Sequence, residues 1–228
     1  MSYRSSISGS KATDIVGFGD MRTKNFTFIE AISLSDDNFL DGIVGMALYN
    51  NPSHLFMDYV KPTLNSFLFS YWLSGDNMNG EIIFGGVDET KFIGDFTWIY
   101  TDPNRYHWTA YFDGISIVTS SGIVSSIEVP KLKTVIFDTG TSVSYLSLQL
   151  AETLNKRLGG TLFQNFTTDT TTAYQVDCAN LKKLPTIKLN IGGEVLSLNP
   201  EEYILLFHQN GPCVSVFFGN EVRYLQIT

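Results

Sequence analysis

Along most of the chain the apolar residues come in short blocks, either alternating with polar ones or solidly apolar, and turn residues cut the blocks apart. Asn25-Phe26-Thr27-Phe28-Ile29-Glu30-Ala31-Ile32 is aromatic and β-branched and predicts a strand. Residues 67–73 and 80–86 are two such blocks around a turn at 74–79, the pattern of a hairpin. Residues 108–117 and 132–137 predict two further strands. Residues 187–191 alternate, meet Gly192-Gly193, and resume over 194–198, which predicts a hairpin closed by two glycines. Helical spacing is rare. Leu148, Ala151, Leu154 and Leu158 share one face of a helix that Gly159-Gly160 would end. Residues 54–64 can hold a second short helix, broken near Pro62. Residues 167–172 are polar and Thr-rich and read as an exposed loop. Many short strands with little helix predict an all-β protein.

Composition narrows the classes. The chain has 228 residues, enough for one large domain or two lobes, and 43% hydrophobic against 17% charged residues excludes a disordered chain. Acidic residues number 23 against 15 basic, with no basic cluster, so no nucleic-acid partner is expected. The longest apolar runs, such as 203–207, are far short of the roughly 20 residues of a membrane-spanning helix, so no transmembrane segment is expected. The opening Met1-Ser2-Tyr3-Arg4-Ser5-Ser6 lacks a secretory signal's basic start and apolar stretch. His54, His107 and His208 are scattered, and Cys178 and Cys213 form no CxxC, so no zinc site is expected. On spacing alone, a disulfide and two buried free thiols remain equally open.

The candidate chemistry lies in Thr134-Val135-Ile136-Phe137-Asp138-Thr139-Gly140-Thr141-Ser142. An apolar strand ends in a carboxylate on a tight turn that glycine permits. Hydroxyls surround it, and a carboxylate drawn toward an apolar strand needs such hydrogen-bond partners.

This stretch resembles the second active-site turn of pepsin-like aspartic proteases, and further segments extend the resemblance over nearly the whole chain. Leu40-Asp41-Gly42-Ile43-Val44-Gly45-Met46 is similar to a segment late in that family's first lobe, and Phe84-Gly85-Gly86-Val87-Asp88 to the stretch that follows. Trp98, Trp108 and Asp113-Gly114-Ile115 match the strands entering the second lobe. Leu184-Pro185-Thr186-Ile187 and Val216-Phe217-Phe218-Gly219-Asn220 match later second-lobe segments. The resemblance implies a bilobal, all-β fold with a partial first lobe over residues 1–93 and a second lobe over 94–228. It implies a Cys178–Cys213 disulfide.

The implied activity is peptide-bond hydrolysis at acidic pH, by a water held between two Asp carboxylates that share a proton. Asp138 would be one of the two, and the resemblance implies no metal or organic cofactor. Thr139 would join a hydrogen-bonded grip between lobes, and Thr141 would bond the carboxylate. Tyr3 and Ser5 would belong to a flap over an extended peptide, with Gly140, Thr141 and Ser142 contacting it from below. No other Asp-Thr-Gly or Asp-Ser-Gly occurs, so the chain is expected to begin after the first catalytic turn, to stop before the family's final strands, and to be silent by itself. A non-catalytic peptide binder and a half-site that dimerises are the competing expectations. Protein or peptide substrates, a monomer when full length, and a secreted or lysosomal/vacuolar location follow from the resemblance. Sequons at Asn25 and Asn165 fit exposure to a glycosylating compartment.

Overall fold

The computed structural model describes residues 7–34, 42–48, 55–75, 79–129, 134–206, 211–221 and 225–227. The chain divides into two compact units, one over Tyr3–Phe96 and one containing Thr97–Thr228. Tyr3, Ser5, Leu40, Asp41, His54 and the start of the expected 132–137 strand lie outside the described residues.

In the first unit, β1 (Ile7–Asp14) leads through the small hairpin β2 (Gly17–Phe18) and β3 (Met21–Arg22) to β4 (Phe26–Leu34), which returns antiparallel to β1. The helix α1 (Phe56–Val60) stops where Pro62 removes a backbone donor, and a 3-10 turn over Lys61–Thr63 replaces it. The expected hairpin forms as β5 (Phe69–Leu73) and β6 (Gly80–Phe84). A small core joins these pieces. Phe56 is almost fully buried and meets Phe18, Phe26 and Phe84 edge-on at 5.1, 5.9 and 5.6 Å.

The second unit holds the larger core. Its strands are β7 (Thr109–Val118), β8 (Val124–Ile127), β9 (Thr134–Phe137), β10 (Ser144–Ser147), β11 (Thr161–Leu162), β12 (Thr171–Thr172), β13 (Tyr174–Val176), β14 (Thr186–Ile191), β15 (Glu194–Leu198), β16 (Ile204–Leu206), β17 (Cys213–Ser215), β18 (Phe217–Asn220) and β19 (Leu225–Ile227), with helices α2 (Leu148–Arg157) and α3 (Pro200–Tyr203). The main sheet runs β12-β18-β10-β19-β9-β7-β14-β15, with β8 alongside β7. β9 pairs parallel with β19, and β10 pairs parallel with β18. The β14–β15 hairpin turns at Gly192 and Gly193 with φ of 59° and 87°, the left-handed region that glycine favours. The 167–172 stretch differs from expectation at its end, because Thr171 and Thr172 pair with Asn220 and Gly219 as an edge strand.

A second small sheet, β11-β13-β17-β16, carries the disulfide. Cys213 is buried on β17, and its sulfur is bonded to that of the exposed Cys178, with Cα atoms 5.4 Å apart. Tyr203, fully buried, donates its hydroxyl to the Pro185 carbonyl at 2.6 Å, and burial pushes its phenol well up from the ordinary range.

α2 locks the main sheet from one side. Ser147 caps its start by accepting the Leu150 N–H, and Gly160 N–H returns to the Asn155 carbonyl past Gly159 at φ 73°. Leu150, Ala151 and Leu154 face the core; Leu148, expected on that stripe, is exposed because it opens the helix. The fully buried Asn155 amide donates to Ala151 O and to Phe217 O, both at 2.9 Å, and so ties α2 to β18. β18 can approach because residue 219 is glycine. A Cβ there would press into the Thr172 hydroxyl and lie 3.1 Å from the Ala151 Cβ.

Two outcomes test this packing. Gly219→Ala is expected to cost about 1–3 kcal/mol by overpacking, read from urea unfolding. Thr172→Ala in the same chain should recover part of that loss. Reduction of Cys178–Cys213, which closes a separation of 35 residues, is expected to cost roughly 4 kcal/mol on the loop-entropy model. An unchanged midpoint in either experiment contradicts the packing described.

Candidate active site

β9 is an apolar strand between two neighbours, with Val135 and Ile136 buried. It ends as the chain leaves the ladder at Asp138. The last ladder bond is made by Asp138 itself, whose N–H donates to Ile227 O of β19 at 2.9 Å. The carboxylate therefore hangs from a backbone fixed on the β19 side, and its side chain is half-buried.

Each carboxylate oxygen has its own donor. Gly140 N–H donates to Oδ1 at 2.8 Å, the short return bond of an Asx turn. A Cβ on Gly140 would lie 3.0 Å from that same oxygen, so glycine keeps the approach open. The Gln226 side-chain amide donates to Oδ2 at 2.6 Å. Gln226 is the register partner of Ile136 on the parallel neighbour β19. Residues 136 and 138 lie on one face of their strand, so a long side chain at 226 reaches one step along that face.

The remaining turn residues fall as follows. Thr141 N–H donates to the Asp138 carbonyl at 3.3 Å, and its hydroxyl donates to the Val143 carbonyl at 3.0 Å, so this hydroxyl closes the turn toward β10. Thr139, Gly140 and Ser142 are exposed. The Thr139 hydroxyl makes no hydrogen bond among the described residues. Tyr3 and Ser5, the expected flap residues, lie outside the described residues. Asn25 is exposed in a turn at φ 55°, and Asn165 is exposed in a 3-10 turn over Gln164–Phe166. Among the described residues no group of three or more His, Cys, Asp or Glu gathers as a metal site, and no helix is long and apolar enough to cross a membrane.

Chemically, this is an oriented, solvent-reachable carboxylate with a fixed plane. Such a group can take a proton from a water or return one to a leaving group. Gln226 was not foreseen from the sequence. Its partner lies 88 positions away, and no local spacing marks it.

Comparison with known proteins agrees with the geometry. The family model for eukaryotic aspartyl protease matches residues 2–227. A probable vacuolar protease A of Trichophyton verrucosum is 31% identical over 226 residues, covering 94% of this chain and 53% of that protein. A cathepsin D of Clupea harengus is 30% identical over 237 residues, covering 95% of this chain and 55% of that one. The chain thus spans about half the length of the curated relatives it matches. The crystal structure of an aspartic proteinase from Irpex lacteus superposes with a TM-score of 0.74 over 99% of this chain and 73% of its own, at 20% identity, which shows the shared fold. Because the family match runs almost from end to end and takes in both the Asp138 turn and the Gly219 strand, the chain belongs to the eukaryotic aspartyl protease family.

Proposed function

We propose that this chain is part of an aspartic endopeptidase and that Asp138 is one of its two catalytic carboxylates. The observation that carries the reading is the carboxylate itself, at the end of β9, with one donor on each oxygen. In the proposed reaction, Asp138 and a second carboxylate hold one water and share one proton. The ionised member takes a proton from the water, whose oxygen attacks the amide carbon. The protonated member hydrogen-bonds the carbonyl oxygen as negative charge builds on it, and the proton taken from the water passes to the amide nitrogen as the C–N bond breaks. The sequence contains one Asp-Thr-Gly turn and no Asp-Ser-Gly, so this scheme assigns the second carboxylate to first-lobe sequence other than these 228 residues.

Protein or peptide substrates follow from the same reading, with Gly140, Thr141 and Ser142 of the turn, and Tyr3 and Ser5, proposed as residues that contact them. A vacuolar, lysosomal or secreted location is supported by the relatives named as vacuolar proteases and by the Cys178–Cys213 bridge, which suits an oxidising compartment. Exposure of Asn25 and Asn165 supports both as N-glycosylation acceptors. The full-length protein acts as a monomer on this reading.

Three measurements test it. The 228-residue chain alone, assayed between about pH 3 and 6 on a denatured protein, is expected to show no cleavage that a statine-type inhibitor blocks. Cleavage linear in chain concentration would reveal a second carboxylate within the chain, and cleavage rising with its square would indicate a symmetric pair. Joined to a first lobe that carries an Asp-Thr-Gly turn, the chain is expected to cleave, and Asp138→Asn should lower kcat by at least ~10²-fold. Retained activity in that variant refutes the assignment. Gly140→Ala, whose methyl would crowd Oδ1, is expected to lower kcat with little change in unfolding midpoint, and an unaffected kcat contradicts the proposed role of the turn.

A further inference from the structure

We infer that Gln226 is a positioning residue for Asp138, an amide that holds the carboxyl's outer oxygen in both of its protonation states. The inference rests on Asp138 being the reacting carboxylate. Three observations carry it.

The first is geometric. Gly140 N–H occupies Oδ1 at 2.8 Å and the Gln226 amide occupies Oδ2 at 2.6 Å, so two donors from different segments fix the plane of the carboxylate. The second is anchorage. Gln226 lies between Leu225 and Ile227, both buried, on a strand paired parallel to β9 and placed opposite Tyr145 of β10. The base of its side chain is therefore set by backbone ladders on both sides, and it is the lone polar residue of β19.

The third is chemical. An ionised carboxylate only accepts hydrogen bonds, so the amide must present its N–H. A protonated carboxyl donates, and a half-turn about the last side-chain torsion then presents the amide oxygen in the same place. Lysine or arginine at 226 would favour the ionised form alone, through its charge. Leucine would leave Oδ2 without a partner. Glutamine keeps Oδ2 positioned while the proton comes and goes, which a carboxyl alternating as base and acid requires. The neighbouring strands add no competing charge. β9 carries Thr134–Phe137 and β10 carries Ser144–Ser147, with the Tyr145 phenol as their one titratable side chain.

The side-chain amide of Gln226 reports this contact directly. The chain has five glutamines, at 149, 164, 175, 209 and 226, so a sample labelled with 15N only in glutamine gives five side-chain amide pairs by NMR. Gln226→Glu removes one pair and identifies it. As pH falls through the carboxylate range, the Gln226 pair is expected to shift in a single step. In Asp138→Asn that step should vanish, with the other four pairs in place as the check on folding. Should Asp138→Asn fail that check, Asp138→Ala is measured in its place. A Gln226 pair that stays still while the protein's carboxylates titrate overturns the inference, as does a step that survives removal of Asp138. The titration needs no peptidase activity, so a shifting Gln226 pair alongside full cleavage by Asp138→Asn in the chain joined to a first lobe would refute the proposed reaction and leave the contact standing.

Discussion

The site depends on one feature of topology, the insertion of β19 between β9 and β10. These two strands are consecutive in sequence yet are not neighbours in the sheet. The chain leaving β9 must therefore cross the width of an occupied strand position, a span of roughly 10 Å at two strand spacings, before it can start β10. Residues 138–143 make that crossing. Asp138 stands at its start, bonded through its N–H to Ile227 and through its carboxylate to Gly140 and Gln226. A direct β9–β10 hairpin would have needed only a two-residue turn. The same insertion puts Gln226 beside Ile136 and within reach of the carboxylate.

The frame holding β10 in place is built from close approach. β18 pairs parallel with β10 and packs beneath α2, where Gly219 leaves room for Thr172 and Ala151. Asn155 carries the connection with two hydrogen bonds from one buried amide, one within α2 and one to β18. Such bonds are worth more as specification than as net stability, since removing one partner leaves a buried polar group unpaired. The Cys178–Cys213 bridge ties the smaller sheet to the 3-10 segment over Cys178–Lys183.

What could be read from the sequence was what is local. The α2 stripe and its Gly159-Gly160 stop are a matter of spacing within one turn or two, and the Gly192-Gly193 hairpin is a matter of adjacent residues. The Asp138 turn was legible for the same reason, as a strand ending in a short motif. Gln226, Asn155 and Thr172 were not, because each acts through strand register or helix placement. Gln226 sits in a three-residue strand where a lone polar residue reads as an ordinary alternation. Only the parallel β9–β19 register makes it a partner of Asp138. Leu148 shows the opposite case: its spacing fits the buried stripe, but its place at the first position of α2 turns it to solvent.

The most direct test of the account is a crystal structure of the chain joined to a first lobe bearing an Asp-Thr-Gly turn, with a statine-containing peptide bound. The account requires the statine hydroxyl, standing in for the attacking water, to lie within about 3 Å of an Asp138 carboxylate oxygen. It also requires the Gln226 amide to remain on Oδ2. A peptide bound with its hydroxyl away from Asp138 would contradict the assignment of this carboxylate to catalysis.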